Sequence, residues 1–193
     1  MSKNVFESYA ARIAKIVTTY DWSSLLPLAQ TLRQAIVDRK GVYLCGNGGS
    51  AANAIHLAND FLYGIAKESG LGLRVDALAD NPSVITCLAN DLNYSEIFSR
   101  QLLVKAEKGD VLIVLSGSGK SPNVVRALEA GRQLGMRTFA MVGFSGGRCK
   151  ELADHSIHFP VDDMQICEDL QVVAGHMLMR WLVQNPPEPK GRP

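Results

Sequence analysis

A doubly wound parallel β-sheet of about five strands, covered by helices on both faces, is the α/β fold this sequence predicts. Three observations carry that expectation. Short β-branched runs recur along the chain, each followed by Gly or Ser and then by a helical stretch. Two of the runs, Val111–Leu115 and Thr138–Val142, are apolar on both faces, as in strands buried on both sides. The alternation of strand and helix persists to the end, which is the pattern of βαβ units.

The strands follow in order. Val42–Cys45 leads into Gly46-Asn-Gly-Gly-Ser50, and Leu73–Leu78 leads into Asp80-Asn81-Pro82. Val111–Leu115 runs into Ser116-Gly117, Thr138–Val142 into Gly143, and Ser156–Phe159 into Pro160. Two helices are expected ahead of the first strand, over 4–20 and 22–39, the first with Val5, Tyr9, Ile13, Ile16 and Val17 at helical spacing. A last helix over 164–184 is apolar nearly all round, with Ile166, Leu170, Val173, Met177 and Trp181 joined by Val172, Met179 and Val183. That is more apolar surface than one face uses in a monomer, so the helix is either a central core helix or buried against a partner subunit, the second being favoured because terminal helices seldom sit at a domain's centre. The tail from Asn185 to Pro193 is rich in proline and is expected to be disordered. The chain therefore reads as one domain over 1–184, with helices over 1–40 and an α/β core over 41–184.

Bulk properties narrow the function. A chain of 193 residues can bury roughly 70% of its unfolded surface in a single core. With 20 Lys and Arg against 19 Asp and Glu, and no basic run, a nucleic-acid surface is not expected. The N-terminus has no apolar leader segment, and no run approaches about 18 apolar residues. The four cysteines, Cys45, Cys87, Cys149 and Cys167, form no CxxC pair and are expected to be buried free thiols. A cytoplasmic protein without membrane contact is the resulting expectation.

In open parallel sheets, ligands bind where loops leave the carboxyl ends of strands. The strongest signal there is Ser116-Gly-Ser-Gly-Lys-Ser121-Pro122-Asn123. Glycine lets backbone N–H groups approach an anion, the following helix adds its dipole, and three hydroxyls donate further hydrogen bonds. A phosphate monoester is the natural guest. A Walker A element would need Gly where Val114 stands, so ATP is not expected. The earlier loop, Gly46-Asn-Gly-Gly-Ser-Ala51, matches a dinucleotide fingerprint only weakly, because Asp76 falls inside a strand rather than at its end. No nucleotide is expected. On the next helix His56 and Asp60 share one face at i and i+4, a spacing suited to a metal site or a coupled acid and base. Ala89-Asn90-Asp91-Leu-Asn-Tyr94 is a polar insertion, and Asp162, Asp163, Glu168 and Asp169 gather at the start of the last helix, which also carries the lone imidazole of His176.

Together these stretches resemble the sugar isomerase (SIS) domain family, and within it the sedoheptulose-7-phosphate isomerases, over roughly residues 5–184. The anchors are Cys45-Gly-Asn-Gly-Gly-Ser-Ala-Ala52, His56 with an acid at 60, Ala89-Asn-Asp91, Gly109-Asp-Val-Leu112, Ser116-x-Ser-Gly-x-Ser-Pro-Asn-Val124, Gly143-x-x-Gly-Gly147 and Glu168…His176. The resemblance implies a flavodoxin-like sheet and a homotetramer with active sites at subunit contacts. It implies interconversion of sedoheptulose 7-phosphate and glycero-manno-heptose 7-phosphate, an early step toward nucleotide-activated heptoses. Ser116, Gly117, Ser118 and Ser121 fall at the phosphate positions. Asn47, Gly48, Gly49, Ser50, Asn90, Asp91 and Glu168 fall at substrate positions, and His56, Asp60, Glu168 and His176 fall where members can hold a zinc ion.

This chain departs from the common family pattern at three places, with Asp60 for Glu, Glu168 for Gln and Gly117 for Thr. A shorter base must sit closer to its substrate, and a second carboxylate raises one of the two pKa values unless a cation neutralises it. In one continuous helix Glu168 and His176 would stand about 12 Å apart along the axis. The expected chemistry is enediol isomerisation, with Asp60 as base and His176 as acid, or the two exchanged. The alternatives are a non-catalytic SIS-domain adaptor and an isomerase of another phosphosugar such as arabinose 5-phosphate.

Overall fold

In the computed structural model, which describes residues 4–188, five parallel strands form one sheet in the order β2-β1-β3-β4-β5. They are β1 (Gly41–Cys45), β2 (Arg74–Ala77), β3 (Val111–Ser116), β4 (Arg137–Val142) and β5 (His155–His158). The central strand β3 pairs Val111 with Val42 on one side and with Arg137 on the other. Its six residues are all buried, the five apolar ones from Val111 to Leu115 and the Ser116 that ends the strand.

Side chains alternate across the sheet into two cores. Val42, Leu44, Ile113, Leu115, Met141 and Ile157 face α1 (Val5–Thr19), α2 (Leu26–Asp38), α3 (Gly49–Asn59) and α9 (Met164–Gln184). Cys45, Leu112, Val114, Ala140 and Val142 face α6 (Ser99–Lys105), α7 (Pro122–Gln133) and α8 (Gly147–Leu152). Two further helices, α4 (Ile65–Ser69) and α5 (Pro82–Asp91), flank β2 in the chain.

The helix after β1 and the helix after β3 thus lie on opposite faces of the sheet. Their N-termini open a crevice between two adjacent strands, the switch point at which such sheets bind ligands.

Four details differ from the sequence reading. The second N-terminal helix is divided into a 3-10 turn at Trp22–Leu25 and then α2. Pro27 has no N–H to continue the ladder from the turn, so the proper helix restarts around it. Cys87 is exposed on α5, while Cys45, Cys149 and Cys167 are buried and none is in a disulfide. Helix α9 packs within the chain against α2, α3 and α4, so Ile166, Leu170, Ala174, Leu178 and Leu182 are buried without a partner subunit, while Val172, Val173, Met177 and Trp181 stay partly exposed. The start of the tail is held, because Arg33 donates to the Asn185 carbonyl oxygen at 3.0 Å and Pro187 is buried. Residues 189–193 lie outside the described residues.

Candidate active site

Helices α3 and α9 lie side by side, and their pairing assembles one half of the site. Gly175 of α9 has no side chain, and its Cα faces the Leu57 side chain, which is fully buried. One residue along each helix, the imidazoles of His56 and His176 meet with their Nε2 atoms 2.9 Å apart. Asp60, one turn after His56, brings Oδ2 to 3.5 Å from the first imidazole nitrogen and 3.3 Å from the second. At Asp60 the helix widens into a π-turn, Asp60–Gly64, before α4 resumes. Such turns accompany functional sites because the extra residue re-aims a side chain without ending the helix.

Two Nε2 atoms that face each other at hydrogen-bond distance cannot both carry hydrogen. At least one lone pair therefore points inward beside a carboxylate oxygen, and a proton or a cation must lie among them. A point equidistant from the three atoms is about 1.9 Å from each, against about 2.0–2.1 Å for a zinc–imidazole bond. His56, Asp60 and His176 could hold a metal ion. Glu168, the fourth residue expected there, is elsewhere. It precedes His176 by two turns of the unbroken α9, and its carboxylate lies over Gly49, in the space a Cβ at that position would fill.

The Gly-rich loop begins α3. Gly48 takes φ +53° and ψ −123°, a conformation that only glycine adopts readily, and no side chain caps the helix. Ser50 is buried in the first turn. The Glu168 carboxylate over Gly49 puts negative charge at the positive end of the α3 dipole, and it takes no hydrogen bond from the described residues. Further along, Asn53 donates to the Glu168 carbonyl oxygen at 2.9 Å and to the buried Gln171 side chain at 3.1 Å.

The Ser-rich turn begins α7. Ser116, buried at the end of β3, accepts from the Gly119 N–H at 3.1 Å, and Ser118 accepts from the Lys120 N–H at 3.3 Å. Ser121 is the N-cap of α7, with its hydroxyl making no cap hydrogen bond, and Pro122 opens the helix. The hydroxyl is left for another acceptor. Gly119 has φ +65°, and a Cβ there would collide with the Gly146 carbonyl oxygen. Gly117 lies against the Met164 sulfur, so the thioether occupies the place that a β-carbon would take.

One link between the two loops was missing from the sequence reading. Asn47 and Asn123 exchange hydrogen bonds through both amides, at 2.8 and 2.7 Å. Asn123 is buried at the second position of α7, where its Oδ1 also accepts from the Val124 N–H and thereby fixes the orientation of the pair. The Tyr94 hydroxyl donates to Asn47 at 3.1 Å and ties the 90–94 segment to the same loop. Asn90 and Asp91 are exposed at the end of α5 and bond to each other at 2.8 Å. The signal for Asn123 was present but modest: an asparagine inside a helix start that already has a cap.

Comparison with known proteins gives this geometry a context. A model of the SIS domain matches residues 5–143. A phosphoheptose isomerase of Desulfovibrio desulfuricans is 36% identical over 178 residues, which cover 91% of this chain and 84% of that one. A phosphoheptose isomerase of Aliarcobacter butzleri is 36% identical over 176 residues and 90% of each chain. Among solved structures, a phosphoheptose isomerase from Francisella tularensis superposes with a TM-score of 0.84 at 25% identity, over 95% of this chain and 99% of the other.

Proposed function

The chain belongs to the SIS-domain family, and from that premise we propose that it is a phosphoheptose isomerase. It converts D-sedoheptulose 7-phosphate to D-glycero-D-manno-heptose 7-phosphate, which feeds the making of nucleotide-activated heptoses. The observation that carries this reading is the convergence of His56, Asp60 and His176 within 3.5 Å of one another in a chain that also has a Ser-rich phosphate turn.

The phosphate is received by Ser116, Gly117, Ser118 and Ser121, at the N-terminus of α7, where backbone N–H groups and hydroxyls converge. Asn47, Gly48, Gly49 and Ser50, with Asn90 and Asp91, border the sugar, and the free carboxylate of Glu168 accepts from its hydroxyls. Starting from the ketose, Asp60 takes a proton from C1 while His176 delivers one to the C2 oxygen, giving the enediol. Return of the Asp60 proton to C2, with removal of the O1 proton by His176, gives the aldose. Each group contributes roughly 10²–10⁴ in rate. Phosphate binding remote from C1 and C2 supplies orientation only.

A zinc ion held by His56, Asp60 and His176 would supply a Lewis acid for the carbonyl oxygen. Ligation and proton transfer compete for the one Nε2 of His176, so a chelator separates the two roles.

Met164, over the phosphate turn, and His176 are twelve residues apart in α9, which is about 18 Å along its axis. That span supports an assembly in which the phosphate turn of one subunit faces the His–Asp–His cluster of another, in a homotetramer. Exposed Ile55, Leu62 and Tyr63 on and just after α3, beside this cluster in sequence, fit such a contact. No described helix is long and apolar enough to cross a membrane, and the reading is of a cytoplasmic enzyme.

The test is an isomerase assay on five- to seven-carbon sugar phosphates, with and without chelator. Turnover of sedoheptulose 7-phosphate is expected. Turnover of none of them, together with capture of a protein partner, would replace the enzyme with an adaptor.

A further inference from the structure

The Ser-rich turn rests on a second loop. The Gly117 carbonyl oxygen accepts from the Gly143 N–H at 2.8 Å, and the Gly119 carbonyl oxygen accepts from the Cys149 N–H at 2.9 Å. Because a Cβ on Gly119 would collide with the Gly146 carbonyl, the two backbones touch with nothing between them. Any displacement of Gly143–Gly147 therefore moves the phosphate donors.

That supporting loop holds a disfavoured residue. Phe144 has φ +45°, in the left-handed region that side chains with a Cβ rarely adopt. Among the described residues the other non-glycine case is Arg39, which caps the end of α2, where such a conformation is common. Phe144 ends no helix. Two hydrogen bonds hold it: its N–H donates to the Val161 carbonyl at 3.1 Å, and its carbonyl oxygen lies 2.8 Å from His158 Nε2.

The second bond is directional, and its direction is fixed from the far side of the ring. His158 Nδ1 lies 3.1 Å from Lys150 Nζ. An ammonium can only donate, so Nδ1 is the acceptor and Nε2 carries the hydrogen given to Phe144. Lys150 belongs to α8, which starts at the glycine packed against the phosphate turn. Lysine, imidazole, strained carbonyl and phosphate turn thus form one continuous chain of contacts.

We propose that His158 is a positioning residue for the phosphate: by donating from Nε2 to the Phe144 carbonyl, it holds the left-handed loop on which the Ser116–Ser121 turn is seated. The inference rests on the reading of that turn as the phosphate site. His158 is not a catalytic residue, since Phe144 and the backbone stand between it and the ligand. When the donor is lost, Phe144 relaxes toward negative φ, Gly143 and Gly146 shift, and the turn's donors lose their common aim. An interaction made equally in ground and transition states is then weakened, so KM rises while kcat stays.

The experiment uses steady-state turnover of sedoheptulose 7-phosphate, with inorganic phosphate as competitive inhibitor. The variants are His158→Leu, His158→Gln, Phe144→Gly, and Phe144→Gly combined with His158→Leu. His158→Leu is expected to raise KM and the phosphate inhibition constant together, by roughly three- to tenfold for one lost hydrogen bond, with kcat within about twofold. His158→Gln puts an amide N–H at the reach of Nε2 and restores both constants. With Gly at 144 the left-handed turn needs no clamp, so adding His158→Leu to Phe144→Gly changes little.

The proposal is overturned if His158→Leu leaves both constants unchanged, lowers kcat alone, or is matched by His158→Gln. Should His158→Leu alone fail to fold, the comparison of Phe144→Gly with its double variant decides in the same way. If inorganic phosphate fails to inhibit the wild-type enzyme, the phosphate reading falls and this inference with it. If phosphate inhibits and the variants behave alike, only the inference falls.

Discussion

Replacing Gly175 with alanine sets two effects of opposite sign against each other. In a helix interior, alanine is favoured over glycine by about 1 kcal/mol, so propensity alone predicts a more stable protein. A Cβ at Gly175, however, would stand within 3.0 Å of three carbons of Leu57, a residue fully buried between the helices and the sheet. Leu57 has no solvent to swing into, so α3 and α9 must part, at a cost of about 1–3 kcal/mol for an added methyl group in a filled core. Packing therefore wins, with a net loss near 1 kcal/mol. The functional effect exceeds the stability effect, because His56 and His176 flank this contact and their 2.9 Å separation widens with it. Urea unfolding gives the stability, and turnover with zinc titration gives the site. Gly175→Ala with a raised unfolding midpoint and wild-type turnover would refute the close approach of the two helices.

Asp60→Asn and His176→Gln should each reduce turnover by roughly 10²–10⁴ without loss of fold, and wild-type rates in both would remove the acid–base assignment. Asn123→Leu strands the Asn47 amide and the Val124 N–H, so stability should fall by about 2 kcal/mol in urea unfolding and KM should rise. An unchanged midpoint would show the amide pair to be unnecessary. The Tyr9 phenol donates to Asp169 at 2.7 Å, and that hydrogen bond first, then burial and the carboxylate charge, push its pKa up to about 12. The stabilisation it lends to α1 docking is complete below pH 10 and fades as the pH rises to about 12. A Tyr9→Phe variant should lack that dependence in a circular-dichroism pH titration.

The parts of this protein that could be read from its sequence are those whose physics is local. Val111–Leu115 announced a doubly covered strand because every position is apolar, and Ser116–Ser121 announced a turn opening a helix because its Gly, Ser and following Pro are consecutive. His56 and Asp60 were visible as a pair for the same reason, at one helical turn. The addition of His176 to that pair depends on how α3 settles against Gly175, 120 residues away from His56, which no spacing encodes. The same holds for Asn47 and Asn123, joined across 76 residues. Glu168 was grouped with the metal residues by resemblance, yet an unbroken helix keeps it two turns from His176 in the same chain. The all-round apolar α9 suggested a partner, whereas much of its surface is used inside the chain, because a terminal helix here fills the layer beside α3.

The reciprocal Asn47–Asn123 pair also guards a chemically sensitive amide. Asn47 precedes Gly48, which has no side chain to hinder attack of its backbone nitrogen on the Asn47 amide, and the hydrogen bonds with Asn123 and Tyr94 hold that amide in place. An aspartate formed at 47 would place a carboxylate oxygen against Asn123 Oδ1, which cannot turn away because it already serves the Val124 N–H. Two acceptors would then oppose each other, and the seam between the β1 and β3 loops would open.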